Sequence, residues 1–407
     1  MDRIEPQSWM RAPETLAVMK VLHDGGAAAR FVGGCVRDAL LHRPIRDIDI
    51  ATDAPPERVM SLMREAGYAA VPTGVAHGTV TAVIGGVAFE VTTLRHDVET
   101  DGRHATVAFT GDWEADAARR DLTMNALSLE ADGTLHDPFG GRADLLAGRV
   151  RFVGDPVLRI TEDVLRLLRF FRFQAHYGKM PPDDAALAAC RNMAPMLKTL
   201  SAERVRAELL KLLDAPDPVA TLTLMRDLGV LAHFLPEASN IDRLTRLLRI
   251  EAIMAPADPL RRLAALLRVG LEGVKAIAGR LRLSNAERDY LAMSVRLDIV
   301  PPLDPAARRR YLYRFGVSVF RERVLLGWAD APDPVDADWR DLLAAAEDWR
   351  PVVFPLTGKD VLARDVPRGP DIGALLTAVE DWWIAGDFQA DRQACLTRLD
   401  QEIASRR

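Results

Sequence analysis

The run from Phe31 to Thr52, FVGGCVRDALLHRPIRDIDIAT, constrains this chain more than any other stretch. It reads as the end of a short strand, a glycine pair at Gly33 and Gly34, a helical turn carrying Arg37 and Asp38, and a second strand displaying Asp47 and Asp49. Residues two apart in a strand face the same way, so Asp47 and Asp49 are expected side by side, with Ile48 and Ile50 packed behind them. Two carboxylates on one face suit a divalent cation, Mg2+ in particular. The glycines supply the complementary half, because residues without Cβ let backbone N–H groups approach phosphate oxygens at a helix start whose dipole favours anions. Carboxylates for metal beside a turn for phosphates point to nucleotide chemistry.

The chain has 407 residues, 49% of them hydrophobic, enough for two to four globular domains with sizeable cores. Its opening, MDRIEPQSWMRAPETL, lacks an apolar targeting core, and no run is long enough to span a bilayer. The cytoplasm is the expected compartment, and no membrane partner is expected. Cys35, Cys190 and Cys395 are too few and too far apart for a disulfide framework or a cysteine zinc site. A net charge of −5 is awkward for a protein of nucleic acids, but residues 241–323 hold 17 Lys and Arg against 9 Asp and Glu, a local excess of 8. Clustered cations, not global charge, follow a phosphate backbone.

Taken in order, Pro13 and Gly25 bracket a helix, residues 30–32 a strand, and Pro55 to Ala66 a second helix. HGTVTAVIGGVAFEVTTLR reads as a hairpin turning at Gly85-Gly86. On its second strand Glu90 is a lone acid among apolar residues, costly unless paired or metal-bound, and is the candidate third carboxylate. The polar stretch 95–110, with Asp101-Gly102-Arg103 at its centre, is expected to be a mobile loop. RRDLTMNAL then packs Arg119, Arg120, Asp121 and Asn125 together, and Asp137 to Gly141 is a turn-rich joint. In TEDVLRLLRFFRF, Thr161 is expected to cap a helix with Leu165, Leu168 and Phe170 or Phe171 buried, and Asp163, Arg166, Arg169 and Arg172 climb one side as a ridge.

GGxVRD followed by DxD resembles the head motif of the class II tRNA nucleotidyltransferases and bacterial poly(A) polymerases, of the DNA polymerase beta superfamily. Three further segments are similar to that family's motifs: Glu90 stands where its ExTT(F/L)R strand has a glutamate, RRDLTMNA matches its ribose- and triphosphate-binding RRDxTxNA, and EDVLRLLRFFR matches its template motif. The resemblance implies that Asp47, Asp49 and Glu90 are catalytic, with Mg2+ on Asp47 and Asp49. It also implies that Gly33, Gly34, Arg37, Arg120, Asp121, Asn125, Asp163, Arg166, Arg169 and Arg172 hold the nucleotide. SAERVRAELLKLL at 201–213 looks like the family's next motif, a helix bracing the template helix, and the family ties the 95–110 loop to the switch from C to A addition.

Elementary chemistry supports the template reading. Cytosine and adenine both present an exocyclic amino donor beside a ring-nitrogen acceptor, which a carboxylate and a guanidinium match, so Asp163 with Arg166 could specify both. Uracil and guanine would leave acceptor against acceptor and donor against donor, a mismatch that discriminates strongly when buried. Beyond residue 215 only His233 remains as a histidine, so a carboxy-terminal histidine–aspartate phosphohydrolase lacks its ligands. Segment 330–338 reads as a linker, Gly369 to Gly373 as a phosphate clamp, and Trp382 and Trp383 as core.

The expected fold is an α+β nucleotidyltransferase head, a mixed sheet with helices over residues 1–150, followed by an all-α neck (151–215), body (216–325) and tail (326–407). The expected activity is template-independent CCA addition to tRNA 3′ ends from CTP and ATP. A poly(A) polymerase or a partial, A-adding enzyme stays open, although His77-Gly78-Thr79 is as in the CCA-adding branch. A catalytically silent RNA-binding protein is the reading from a different class.

Overall fold

The computed structural model describes residues 2–74, 78–100, 105–296, 299–331 and 336–406, without the side chains of 97–107. It divides into two compact units, Met1–Ile241 with Ile277–Leu283, and Asp242–Ala276 with Ser284–Arg407.

Among its described residues the first unit has nine strands: Ala29–Val32 (β1), Asp49–Thr52 (β2), Ala69–Gly74 (β3), Thr79–Ile84 (β4), Val87–Thr93 (β5), Arg95–Thr100 (β6), Ala105–Phe109 (β7), Ser128–Leu129 (β8) and Leu135–His136 (β9). Seven form a mixed sheet in the order β3-β4-β5-β2-β1-β8-β9, in which β2 and β5 run parallel and the other pairs antiparallel. The strands alternate: Phe31, Ile50, Val80, Ala82, Phe89, Val91 and Leu129 point into one apolar core. Pro13–Asp24 (α1) and Pro56–Glu65 (α3) cover that face with Val18, Leu22, Val59 and Met63, while Gly34–Leu40 (α2) adds Cys35 and Val36. A period of two therefore turns Asp49 and Glu90 to the opposite face. There Val32, Ala51 and Leu94 pack against Trp113 of Trp113–Ala118 (α4).

Three expectations about where elements lie in the first unit change. Asp47 is not in a strand: pairing with β1 starts at Val32↔Asp49, because Gly33 turns away at φ +70°, so Asp47 has no opposing strand and lies exposed in the segment before β2. Residues 95–110 are not an irregular loop, for β6 and β7 pair from Arg95↔Phe109 to Thr100↔Ala105; the tip expected at 101–103 lies outside the described residues, as does His77. Backbone pairing needs no apolar core, and so a polar composition could not reveal it.

After Gly141–Ala147 (α5) come Pro156–Glu162 (α6), Leu165–Tyr177 (α7), Asp184–Met193 (α8) and Ala202–Leu213 (α9). The third change lies here. Thr161 does not cap the ridge helix, since its hydroxyl donates to the Val157 carbonyl inside α6 at 2.8 Å. The chain breaks at extended Asp163, whose Oδ1 accepts from the Leu165 N–H at 3.1 Å. A short carboxylate at a break satisfies an N–H the helix leaves orphaned. Both Phe170 and Phe171 are buried, with Leu165 and Leu168, and α9 lies along α7.

The second unit is helical throughout its described residues. Its long helix Pro305–Asp330 kinks at Gly316 and supplies Glu322 to Arg261, which together with Arg262 is also bridged by Glu251 from another helix of the unit. Near its end Trp383 is core, among Leu375, Val379 and Leu399, but Trp382, expected there too, is 36% exposed because it faces outward on the same helix. The described chain around the expected 330–338 linker runs from a helix ending at Asp330 to one starting at Asp336; 332–335 are outside the description.

One glycine sets the packing beneath the site. A Cβ on buried Gly141 would collide with the Thr123 carbonyl oxygen at the start of the 3-10 turn Thr123–Asn125, whose neighbouring Thr123 hydroxyl bonds Asp144 at 2.7 Å. Backbone cannot yield as a flexible side chain does, so Gly141→Ala should cost about 1–3 kcal/mol. Thermal melts should show a fall of several degrees; an unchanged midpoint would mean that the turn is free to shift.

Candidate active site

The site begins at the glycine turn. Gly33, at φ +70° and ψ −130°, holds a conformation that L side chains avoid, and α2 starts directly after it. A Cβ there would lie 3.2 Å from Asp49 Oδ2 and 3.9 Å from Arg120 Nη1, and one on Gly34 would lie 3.6 Å from Arg37 Nη2. The missing side chains thus leave a small space bounded by one carboxylate and two guanidinium groups. Cys35, in the next turn, donates to the Val32 carbonyl, and burial pushes its thiol up to about 12, so it is inert packing.

Because β2 and β5 run parallel in register, Asp49 and Glu90 are direct neighbours across the ladder. Burial first, and then the charges of Glu90 and Asp47, push the Asp49 carboxyl up, with Arg120 and Arg37 pulling the other way. Asp49 therefore feels both other acids, although Glu90 is exposed; the burial argument that singled it out does not hold, and it is the register with Asp49 that brings it to the site. Among the described residues no three His, Cys, Asp or Glu side chains stand close enough to enclose an ion.

The second layer is held by buried acids. Asp116 takes both Arg119, at 2.6 Å, and Arg120, at 3.2 Å. Burial raises its carboxyl, but the two guanidinium groups outweigh that and hold it below the usual range. Arg120 also donates to the Asn125 carbonyl, and the Asn125 side chain accepts from Arg37 at 2.9 Å and donates to Asp121 at 3.0 Å. Asp121 in turn receives Arg169 of α7 at 2.6 Å. Gly33, Gly34, Arg37, Asp49, Glu90, Arg120, Asp121, Asn125 and Arg169 are thus joined into one network.

The rest of the ridge is occupied differently from the expected pair. Asp163 and Arg166 do not meet through their side chains. Asp163 Oδ2 accepts from Arg204 of α9 at 2.7 Å, whereas Arg166 binds Glu162 and the carbonyls of Arg159 and Arg119. Arg172 pairs with Glu208, also from α9, at 3.2 Å. Arg204 and Glu208 were not singled out in the sequence. Their spacing of four on a helix bracing α7 was the available signal, since residues four apart share a face.

The family described as "Poly A polymerase head domain" matches residues 29–151, and "Probable RNA and SrmB- binding site of polymerase A" matches residues 179–241. The "CCA tRNA nucleotidyltransferase 1, mitochondrial" of Mus musculus is 35% identical over 91% of this chain and 86% of its own length. The chain belongs to the CCA-adding tRNA nucleotidyltransferase family. A "CCA-adding enzyme" of Levilactobacillus brevis is 32% identical over 94% of this chain and 96% of that one. The solved CCA-adding enzyme of Bacillus stearothermophilus, in complex with CTP, superposes with a TM-score of 0.78 at 30% identity, covering 97% of this chain and 98% of that one. In this family member Asp49 and Glu90 stand on adjacent strands beside the Gly33 turn, and Asp47 lies just before the first of them.

The Asp121–Arg169 pair gives the site a pH signature. Burial raises the Asp121 carboxyl, but Arg169, Asn125 and the Leu122 N–H together hold it below its ordinary value of 3.8. A folded value below the unfolded one stabilises above the unfolded value, and that stability is lost as pH falls through the folded one. Urea unfolding should therefore show a decline below about pH 4, and Asp121→Asn, less stable at neutral pH, should lose part of that acid dependence. An identical acid limb in the variant would mean that the pair contributes nothing.

Proposed function

We propose that this enzyme completes tRNA 3′ ends by adding C, C and A from CTP and ATP, with its chemistry centred on Asp49 and its base choice on α7. The observation that carries the reading is the space at Gly33, walled by Asp49 and Arg120. It is a cradle for a triphosphate in which a Cβ would crowd the carboxylate and come into contact with the cation.

In this reading Gly33, Gly34, Arg37 and Arg120 grip the triphosphate, with Asp121 and Asn125 fixing both arginines and the ribose. The tRNA 3′ oxygen attacks the α-phosphorus in line, forming the new phosphodiester as the α–β bridging bond breaks and pyrophosphate leaves. Family membership implies dependence on a divalent metal. Asp49 and its ladder partner Glu90, with Asp47 two residues before, are oxygen donors whose mutual repulsion a cation would relieve, and we assign Mg2+ to Asp47 and Asp49. An ion there would acidify the attacking hydroxyl and neutralise the departing pyrophosphate. Asp47, exposed, can turn to it.

Asp163 and Arg166 read the base. Arg204 and the Leu165 N–H occupy two acceptor positions of the Asp163 carboxylate, which leaves others for an amino group of cytosine or adenine. Arg169 and Arg172, held by Asp121 and Glu208, line the same side. The division into head, neck, body and tail, tRNA contact by the helical second unit, and a role for the β6–β7 ribbon in passing from C to A belong to the same proposal. No described helix is long and apolar enough to cross a membrane, and we keep the cytoplasm as the compartment, beside animal relatives whose names say mitochondrial.

The test uses tRNAs lacking one, two or all three terminal nucleotides, with each nucleotide supplied singly and product length resolved on a gel. The native enzyme should add C, C and A in turn. Asp49→Ala should lose C and A addition together by several orders of magnitude while tRNA binding survives, since both additions share the carboxylate; turnover of either nucleotide near the native rate would remove Asp49 from the chemistry. Asp163→Ala should admit UTP and GTP while keeping activity, and an equal fall for all four nucleotides would refute the base-reading role.

A further inference from the structure

Tyr177 has no part in the chemistry above, yet it sits where two halves of the site meet. It is the last residue of α7, the helix that carries Arg166, Arg169 and Arg172. Its ring lies under the Arg37 guanidinium, 4.4 Å from centroid to Cζ, and its hydroxyl donates to Asp38 Oδ1 at 3.0 Å. Asp38 accepts from Arg37 Nε at 3.2 Å and from Nη2 at 3.1 Å. Arg37 is therefore gripped twice by one side chain, directly through the ring face and indirectly through the carboxylate that the hydroxyl orients. Both contacts are half-buried, and a cation over an aromatic face is worth more when water is excluded.

Tyr177 is itself fixed from several sides. Phe173, one turn earlier on α7, stacks on it at 5.6 Å and adds its own ring 5.2 Å from Arg37. Arg43, just after α2, lies 4.5 Å from the Tyr177 ring and donates to the His176 carbonyl at 3.1 Å, a cation on an orphaned carbonyl at the helix end. The next residue back, His176, bonds the Lys211 carbonyl of α9 at 2.7 Å. The end of α7 is thus tied both to the phosphate-turn helix and to the bracing helix. Arg37 reaches from this anchor to Asn125 and to the space beside Gly34.

We infer that Tyr177 is a positioning residue for the triphosphate: it couples the base-reading helix to Arg37, so that the grip on the phosphates depends on where α7 stands. The inference rests on the reading of Arg37 as a nucleotide ligand. If it holds, removing the ring should weaken binding of both CTP and ATP, because the phosphates are common to them, and should leave tRNA affinity alone. A merely structural role would instead lower the active fraction, and with it kcat, for every substrate alike.

The experiment is steady-state kinetics of the full-length enzyme with Tyr177→Leu, Tyr177→Phe, Asp38→Asn, the double variant Tyr177→Phe with Asp38→Asn, and Arg37→Lys, each checked for a native circular dichroism spectrum. Tyr177→Leu should raise the KM of CTP and of ATP about tenfold, with kcat and the KM of tRNA within about threefold of native. Tyr177→Phe, which keeps the ring, should recover most of that loss. Its remaining effect should vanish in the Asp38→Asn background, since a hydroxyl acting through Asp38 cannot add to the loss of that carboxylate. Should Arg37→Lys raise nucleotide KM while a folded Tyr177→Leu stays within twofold of native, the coupling is refuted and the reading of Arg37 stands. Should Arg37→Lys leave nucleotide KM unchanged, it is the ligand reading that fails, and the coupling with it. A Tyr177→Leu variant without a native spectrum leaves the decision to Tyr177→Phe and the double variant, where additive effects would overturn the inference.

Discussion

The ion pair between Asp121 and Arg169, at 2.6 Å, joins the sheet domain to the helix that follows it, and the site depends on that junction. Asp121 is buried and also takes the Asn125 amide and the Leu122 N–H, so its charge is balanced only while α7 delivers its arginine. A buried carboxylate left without its cation is costly, which penalises any arrangement that moves α7 from the glycine turn. Through Asn125 the same carboxylate orients Arg37, and Arg120 donates to the Asn125 backbone. One pair thus sets the relation between phosphate grip and base-reading ridge.

Around that junction the acids divide by environment. Asp116 and Asp121 are buried but surrounded by guanidinium groups, and stay ionised as structural anchors. Asp49 is half-buried beside two other acids, and its carboxyl is pushed the other way. The first arrangement stabilises the fold; the second stores repulsion that a cation or a proton relieves. Identical residue types therefore do opposite work within one site, and only their neighbours distinguish them.

Much of this was legible because short-range rules govern it. Gly33 and Gly34, the alternation of Phe31, Ile50, Phe89 and Val91, the turn at Gly85-Gly86 and the ridge spacing of Arg166, Arg169 and Arg172 are local patterns, and each falls where the sequence puts it. Asp163 was legible as a residue but not as a helix break, because its capping of Leu165 competes with continuation of the helix and the balance turns on Arg204, 41 positions away. Glu90 was chosen through a burial that does not exist, yet it lies beside Asp49 because a parallel pairing with a long connection fixes their register.

The sequence by itself determined most element types outside the 95–110 ribbon and the break at Asp163, the sheet face that carries Asp49 and Glu90, and the family to which the motifs belong, since periodicity, turn chemistry and motif spacing act over a few residues. Tertiary structure alone decided which charges pair: Arg169 with Asp121 rather than a neighbour on its own helix, Arg204 with Asp163, Glu208 with Arg172, and Tyr177 beneath Arg37. Ion pairs and ring contacts act through space and are set by the packing of α7 between α9 and the head. No local pattern in the chain encodes that choice.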